Sequence, residues 1–281
     1  MAIGQLVRLG WLTDPAHDLN AAIECFLTYC QAKNLSPNTV QYYAYRLGSF
    51  RRYVEEHASS SATSEITRQV IRDFVTAEIE NCSPSTANHS VTTLRAFFGF
   101  LVREGYLVES PMVGVEKVRQ KRTLINTFAT EQIEAILASC GKDFVGVRDK
   151  AVILMLFDTG LRVSELCGLT LADVSWTDQQ LLVLGKGNVE RRVGFGQAAR
   201  QALAQYTARR GELETDAVFV TCCGEPLNRH RAAEIVKKRC KMAGIAGLRC
   251  SPHTLRHTFA VTYLRDGGDL FSLQKILGTA I

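Results

Sequence analysis

The sequence has no apolar run long enough to span a bilayer, and its first residues lack the pattern of a signal peptide. It also lacks any Cys-x-x-Cys spacing. Its nine cysteines are scattered, apart from the adjacent pair Cys222 and Cys223. An odd number of scattered thiols argues against a disulfide framework and against a cysteine-based zinc site. These absences predict a reduced, cytoplasmic protein.

The sequence does contain enough apolar material for a buried core. Of its 281 residues, 46% are hydrophobic and 22% are charged, as in ordinary globular proteins. This length allows one large domain or two smaller ones. The formal net charge of +5 favours a polyanionic partner such as nucleic acid, although many other proteins are equally basic.

The first hundred residues have the pattern of a helical unit. Residues 1–17 show no periodicity and are expected to form a flexible N-terminal arm. From Asp18 onwards, apolar residues recur every three or four positions, which predicts a helix. Two later helices open with the same Ser-Pro-x-Thr pattern, at Ser36 and Ser83, where serine can cap and proline fits the first turn. A further helix between them completes a predicted four-helix domain over residues 18–110.

Polar and aromatic side chains lie on or near the outer sides of the two Ser-Pro helices. One interpretation is an ordinary solvated face. The other is a surface for double-stranded DNA, because Asn, Arg and His can bind both phosphates and base edges. The candidate residues are Asn38, Thr39, Tyr42, Arg46, Asn88, His89 and Arg95.

A basic segment separates this domain from the remainder of the chain. Ser110-Pro111 ends the helical pattern, and the following residues lack apolar periodicity. This composition predicts an inter-domain linker over residues 111–125. The linker is either a solvated tether or, between two DNA-binding domains, a segment that crosses the phosphate backbone. Its basic residues are Lys117, Arg119, Lys121 and Arg122.

Residues 126–281 begin with helical patterns. The run from Ala151 to Phe157 is almost wholly apolar and predicts a buried helix. Gly160 breaks this run, and a helix restarts after it. Arg162 and Glu165 are three positions apart in that helix, so they can orient each other.

A predicted hairpin follows these helices. The strand patterns Gln180–Leu184 and Glu190–Phe195 flank a glycine-rich turn, with Lys186 near its tip. Lys186 is either a solvated turn lysine or a mobile cation that the hairpin delivers to a site. A shorter strand-like run covers Asp216–Thr221. The expected fold is mainly α, with a small antiparallel sheet in the second domain.

The segment that begins at Ser251 predicts a helix with two functional candidates. Ser251 can cap it, and Pro252 fits its first position. His253 and Arg256 are three positions apart and therefore share one face. Two such donors near a helix N-terminus suit a bound phosphate. The pair alone does not distinguish that site from a solvated face.

Taken together, Arg162, Lys186, His253 and Arg256 predict one kind of chemistry. The sequence has no His-Glu-x-x-His motif, no phosphate-binding Walker loop and no evident carboxylate cluster for magnesium. A site rich in Arg, Lys and His but poor in carboxylates points to phosphoryl transfer without a metal or other cofactor. Two arginines can bind non-bridging oxygens, and lysine and histidine can transfer protons.

Four ordered motifs resemble those of the tyrosine recombinase, or phage integrase, family. They are Asp158–Leu166, Gly185–Gly187, His253–His257 and Leu273–Gly278. The resemblance covers the chain from about Asp18 to Ile281. It implies a helical core-binding domain followed by an α+β catalytic domain. It also implies two lobes that clamp double-stranded DNA, in a homo-oligomer that is a tetramer on paired sites.

The resemblance also implies roles for individual residues. Arg162 and Arg256 match the phosphate-clamping arginines, and Lys186 matches the general acid for the leaving hydroxyl. His253 matches the first histidine of the His-x-x-Arg motif. In this family a tyrosine attacks the scissile phosphate and forms a 3′-phosphotyrosine, without a metal. The supporting positions are Glu165, beside the first arginine, and His257, with an expected structural role.

The chain departs from the family pattern near its end. In the family a His or Trp follows the Leu-Gly pair, and the nucleophilic tyrosine comes soon afterwards. Here Thr279 follows Gly278, and no tyrosine occurs after Tyr263, which is expected to pack in the core. The resemblance therefore implies either a C-terminally truncated recombinase or a cleavage-dead relative that acts as a DNA-binding or regulatory protein. The four motifs disfavour a third reading, a helical transcriptional regulator.

We expect the 281-residue polypeptide to form no covalent complex with DNA, because it lacks a tyrosine at the matching position. A nicked suicide substrate, followed by denaturing electrophoresis, tests this. A protein–DNA adduct that survives phenol extraction would contradict the prediction, and mapping the adduct to Tyr263 would identify a different nucleophile.

Overall fold

The computed structural model describes residues 14–58, 60–120, 126–185 and 189–278. Three predicted site residues lie outside these ranges, namely Lys121, Arg122 and Lys186, as does most of the predicted N-terminal arm. No helix in the described ranges combines the length and the apolar character needed to cross a membrane.

The chain divides into two compact units, Met1–Arg122 and Thr123–Ile281. The helices of the first unit are α1 (Leu19–Ala32), α2 (Pro37–His57), α3 (Arg68–Asn81) and α4 (Pro84–Arg103). Both Ser-Pro openings form as predicted. The Oγ of Ser36 accepts a hydrogen bond from the Thr39 N–H at 3.2 Å, and the Oγ of Ser83 accepts one from the Thr86 N–H at 3.1 Å.

Aromatic side chains fill the core of the first unit. The rings of Phe26 and Phe97 meet edge to face, with their centroids 5.6 Å apart. Phe98 is in similar contact with Phe97 at 5.0 Å and with Phe50 at 6.2 Å. These rings come from α1, α2 and α4, so the helices share one core.

The segment predicted as a linker begins as part of this first unit. Met112 and Val115 are buried in its core. The Asn88 side chain bonds both backbone groups of Val118, accepting from its N–H at 2.7 Å and donating to its carbonyl at 2.8 Å. Arg95 donates to the Val115 carbonyl at 2.7 Å. Residues 112–118 are therefore bound to the unit rather than free of it.

The second unit combines several helices with a small sheet. The helices are α5 (Thr130–Ala138), α6 (Phe144–Thr159), α7 (Val163–Cys167), α8 (Gln197–Arg210), α9 (Arg229–Met242), α10 (Pro252–Arg265) and α11 (Leu270–Leu277). The strands are β1 (Val174–Ser175), β2 (Gln180–Leu184) and β3 (Glu190–Gly194). They form an antiparallel sheet in the order β1-β2-β3, with Val183 opposite Arg191. The predicted fold class and hairpin are confirmed.

The strand-like run predicted at Asp216–Thr221 does not form a regular strand. This run forms only isolated bridges, between Ala217 and Thr170 and between Val220 and Pro226. Its backbone hydrogen bonds go to two different segments. The Val218 N–H donates to the Leu169 carbonyl, whereas the Phe219 carbonyl accepts from the Leu227 N–H. No continuous ladder results.

Gly160 ends α6 as predicted, and two packing constraints meet there. Its φ of 62° lies in the left-handed region that favours glycine. A Cβ at this position would overlap the Phe259 ring and would lie 2.9 Å from Cδ2 of Leu277. A glycine is therefore required both by the turn and by the close approach of α10 and α11.

Replacement of Tyr206 by Phe should destabilise the second unit. Tyr206 is fully buried and stacks on Phe219, with ring centroids 5.4 Å apart. Its hydroxyl oxygen accepts a hydrogen bond from the Val220 N–H at 2.9 Å. The variant leaves that buried N–H without its acceptor, so we expect unfolding free energy to fall by about 1–3 kcal/mol. Urea denaturation measures the change.

The matched control is Tyr263→Phe. Tyr263 is only partly buried, and its hydroxyl makes no hydrogen bond in the described part of the chain, so removing that hydroxyl should cost little stability. An equal loss of stability in both variants would show that the hydrogen bond from Val220 to the Tyr206 hydroxyl does not stabilise the fold.

Candidate active site

The opening of α10 presents His253 and Arg256. The Ser251 Oγ accepts a hydrogen bond from the Thr254 N–H at 3.3 Å, and Pro252 occupies the first helical position, as predicted. His253 is exposed, whereas Arg256 is buried. The helix therefore offers an imidazole to solvent and directs a guanidinium inwards.

Arg256 joins the ends of two other helices. Its Nη1 donates to the Gly160 carbonyl at 2.7 Å, and its Nη2 donates to the Leu277 carbonyl at 2.7 Å. Its Nη1 also lies 4.0 Å from Oε2 of Glu165. These contacts fix the guanidinium between the C-termini of α6 and α11.

Arg162 and Glu165 orient each other, as their spacing predicted. The Arg162 backbone N–H donates to Oε2 of Glu165 at 2.9 Å, and its Nη1 donates to Oε1 at 2.8 Å. Its Nη2 reaches the Gly278 carbonyl at 3.2 Å. The Glu165 side chain is only 5% exposed, whereas that of Arg162 is 37% exposed. The carboxylate is therefore internal, and part of the first arginine faces solvent.

A third arginine, Arg191 on β3, completes this cluster and was not among the residues predicted. Its Nη1 and Nη2 donate to the two oxygens of Glu165 at 3.0 and 2.8 Å. Its Nε donates to the Ile276 carbonyl at 2.8 Å. A signal for it exists in the sequence: apolar Val193 is two positions away in the predicted strand, so alternation places Arg191 on the same inner face.

The surroundings of these groups shift their ionisation. Burial alone would raise the pKa of the Glu165 carboxyl, but hydrogen bonds from Arg191 and Arg162 lower it below its ordinary value. Burial and then the charge of Arg162 lower the pKa of Arg256 to about 10. The His253 side chain is largely exposed, but partial desolvation where it meets the protein, followed by the charges of His257 and Arg256, lowers its pKa. At neutral pH, Glu165 and Arg256 are charged and His253 is neutral.

The cluster holds more positive than negative charge. Three guanidinium groups surround one carboxylate, and Arg162 is the most exposed of them. An anion from solvent therefore meets Arg162 beside the exposed His253. Guanidinium N–H groups match the geometry of phosphate oxygens. Within the described ranges, no group of three or more His, Cys, Asp or Glu side chains is arranged to hold a metal ion.

Two other side chains of α10, His257 and Tyr263, carry rings that contact neighbouring rings. His257 is partly buried, and its ring meets that of His253 edge to face with centroids 4.3 Å apart. Tyr263 is partly buried and packs near Phe259, with centroids 6.0 Å apart. The structural role expected for His257 stays a prediction, and Tyr263 is not part of the buried core in which the sequence predicted it.

The structure brings together some of the first unit's candidates. The rings of Tyr42 and His89 lie 5.9 Å apart, and the Arg46 guanidinium stacks over Tyr42 at 5.7 Å. Arg46 also lies 3.6 Å from Glu78, so its charge is partly directed towards the protein. Asn38, at the start of α2, is exposed. As DNA contacts, these residues stay predictions.

The remaining candidates fall into three groups. Asn88 and Arg95 bind backbone groups of residues 115–118, as described above. Thr39 lies at the capped start of α2, where its Oγ1 is 2.8 Å from the Oγ of Ser36. Lys117 and Arg119 are exposed and free to face a polyanion.

Known protein families match both units. Residues 126–280 match the model of the phage integrase family, and residues 23–105 match that of the phage integrase N-terminal SAM-like domain. The tyrosine recombinase XerD of Halalkalibacterium halodurans is 36% identical over 270 residues, covering 93% of this chain and 90% of the relative. The tyrosine recombinase XerC of Listeria monocytogenes is 33% identical over 265 residues, covering 91% of this chain and 88% of the relative.

Solved structures share the fold. The XerH site-specific recombinase, bound to its difH substrate, has a TM-score of 0.81 at 20% identity, covering 96% of this chain and 91% of that chain. A lambda integrase dimer bound to a core site has a TM-score of 0.78 at 18% identity, covering 94% of this chain and 95% of that chain. The fold is thus that of the tyrosine recombinases. The family matches go further: the chain belongs to the phage integrase family, which confirms the predicted resemblance.

We expect His253 to titrate below pH 6.5 in the free protein, because partial desolvation and nearby cations disfavour its protonated form. The folded protein then binds this proton less tightly than the unfolded chain does. Lowering the pH below 6.5 should therefore reduce the free energy of unfolding. Added inorganic phosphate should raise the His253 pKa by placing negative charge beside the ring. NMR titration of the imidazole, assigned with His253→Gln, measures both. A pKa above 6.5 without phosphate would contradict this electrostatic account.

Proposed function

We propose that the chain supplies the phosphate-binding and proton-transfer residues of a site-specific DNA recombinase, which breaks and rejoins strands through a 3′-phosphotyrosine. The observation that carries the proposal is the arginine cluster. Arg162 and Arg256 come from different elements, converge on Glu165, and lie at the opening of the helix that presents His253. Such a cluster can hold a phosphodiester and offset the charge that develops in its transition state.

In the proposed reaction, Arg162 and Arg256 donate N–H groups to the non-bridging oxygens of the scissile phosphate. A tyrosine oxygen attacks phosphorus, and the bond to the 5′ oxygen breaks. Neutral His253 assists removal of the tyrosine proton, and Lys186 donates a proton to the leaving oxygen. The phosphotyrosine conserves the energy of the broken bond, so rejoining reverses these steps without ATP.

The nucleophile in this scheme is a tyrosine that follows the Leu-Gly pair. The 281 residues contain no tyrosine after Tyr263, so cleavage is proposed for a polypeptide that supplies one. A relative that binds DNA without cleaving it would use the same phosphate site. The chain's own arginines, lysine and histidine act in the roles just described.

We assign double-stranded DNA to both units. Residues 18–110 are proposed as the core-binding domain, 111–125 as the linker and 126–281 as the catalytic domain. The exposed Lys117 and Arg119 would bind phosphates along the linker. A homo-oligomer on paired sites is supported by the solved lambda integrase dimer on a core site and tetramer on a Holliday junction.

DNA affinity should fall steeply as salt rises, because phosphate contacts release counterions. For duplex DNA followed by fluorescence anisotropy, Arg162→Ala should make the slope of log K against log salt shallower by about 0.9, the value for one lost phosphate contact. The matched control is Lys150→Ala, which removes one exposed charge from α6 of the same unit.

Two results would count against the proposal. A flat salt response of the unmodified chain would argue against DNA binding by phosphate contacts. An equal change in the two variants would show that Arg162 is no different from any surface cation.

A further inference from the structure

We infer that Arg191 is a positioning residue for the phosphate site and acts through both Arg162 and Arg256. This inference rests on the function proposed above. Arg191 extends from β3 and contacts two separate elements, the start of α7 and the end of α11. Its side chain is 12% exposed, and each of its three guanidinium nitrogens donates to a protein oxygen. Arg191 is therefore placed to hold other groups rather than a ligand.

The first path from Arg191 runs through Glu165. Each oxygen of that carboxylate accepts one hydrogen bond from Arg191 and one from Arg162. The two arginines thus share both oxygens. Without Arg191 the carboxylate loses half of these bonds and can turn, so Arg162 loses the fixed partner that aims its guanidinium.

The second path runs through the end of α11. Arg191 holds the Ile276 carbonyl, while the next two carbonyls, of Leu277 and Gly278, accept from Arg256 and Arg162. The contact is close, because a Cβ on Gly278 would lie 3.1 Å from Cζ of Arg191. Arg191 thereby sets the position of the helix end to which both phosphate arginines are bound.

The geometry requires a guanidinium rather than a simple positive charge. Nη1 and Nη2 form a bidentate pair with the carboxylate, while Nε donates in another direction to the helix end. A lysine ammonium keeps the charge but cannot make this planar arrangement. The conservative substitution therefore separates positioning from electrostatics.

The test compares Arg191→Met and Arg191→Lys with the unmodified chain. The readout is the dissociation constant of inorganic phosphate, followed through the His253 NMR signal at fixed pH. We expect both variants to bind phosphate roughly tenfold more weakly, the loss that follows when one charge-assisted hydrogen bond is misplaced. Full rescue by lysine would overturn the inference, because charge alone would then suffice.

The control is Arg192→Met on the same strand. Arg192 is exposed and points to the other face of β3, so its loss should leave phosphate affinity unchanged. An equal weakening by Arg192→Met would show that only the summed charge matters. Thermal melts of every variant report stability separately from affinity.

A double-mutant cycle with Arg162→Ala shows whether Arg191 acts through its neighbour. We expect Arg191→Met to add much less to the loss when Arg162 is already alanine. Fully additive losses would overturn the inference. If Arg162→Ala alone leaves phosphate binding unchanged, the proposed phosphate site itself is wrong. If Arg162→Ala weakens binding and Arg191→Met does not, the site stands and the positioning role is wrong.

A measurement on the unmodified chain keeps the inference testable if a variant fails to fold. Phosphate should shift the NMR signal of the Arg162 Nε–H and leave that of the Arg191 Nε–H in place. A shift of the Arg191 signal as large as that of Arg162 would show direct phosphate binding and overturn the positioning role.

Discussion

The buried carboxylate of Glu165 is the interaction on which the site depends. An ionised carboxylate removed from water costs several kcal/mol unless charged partners and hydrogen bonds replace its hydration. Within the described ranges, Glu165 receives four hydrogen bonds, all from Arg162 and Arg191, and Arg256 lies 4.0 Å away. The groups come from α7 and its preceding turn, from β3 and from α10. One anion thus connects segments that are far apart in the sequence.

The same cluster needs a second source of negative charge, because the three positive charges of its guanidinium groups outnumber the one negative charge of its carboxylate. The C-terminal carbonyls of α11 supply part of it, since the end of a helix carries a partial negative charge. Ile276, Leu277 and Gly278 each accept from a different arginine. Some positive charge remains uncompensated, and it lies where Arg162 faces solvent. That residual charge is what suits the site to a phosphodiester.

The parts of this structure that sequence predicts are those set by neighbouring residues. The Ser36 and Ser83 caps, the break at Gly160 and the pairing of Arg162 with Glu165 all follow from spacings of a few positions. Their partners lie within the same turn or the next, so local patterns report them.

Contacts between distant segments were harder to predict. The sequence pattern places Asn88 and Arg95 on a polar outer face, but their hydrogen-bond partners are backbone groups 30 and 20 positions away. No periodicity reports such a contact. Arg191 is an intermediate case, because alternation with Val193 places it on the inner face, whereas its convergence with Glu165 requires the fold. The strand-like run at Asp216–Thr221 forms only isolated bridges for the same reason, since strand propensity does not specify a partner.

The two hydrogen bonds between the Asn88 side chain and the Val118 backbone affect how the chain unfolds. The amide hydrogen of Val118 is bound by a side chain of α4, in a segment whose composition alone suggests an open tether. Its exchange with solvent therefore requires α4 or the segment to open, as for an amide inside a helix. The cooperative unit that includes the first helical bundle thus extends at least to Val118, beyond the Ser110-Pro111 boundary that the sequence indicates.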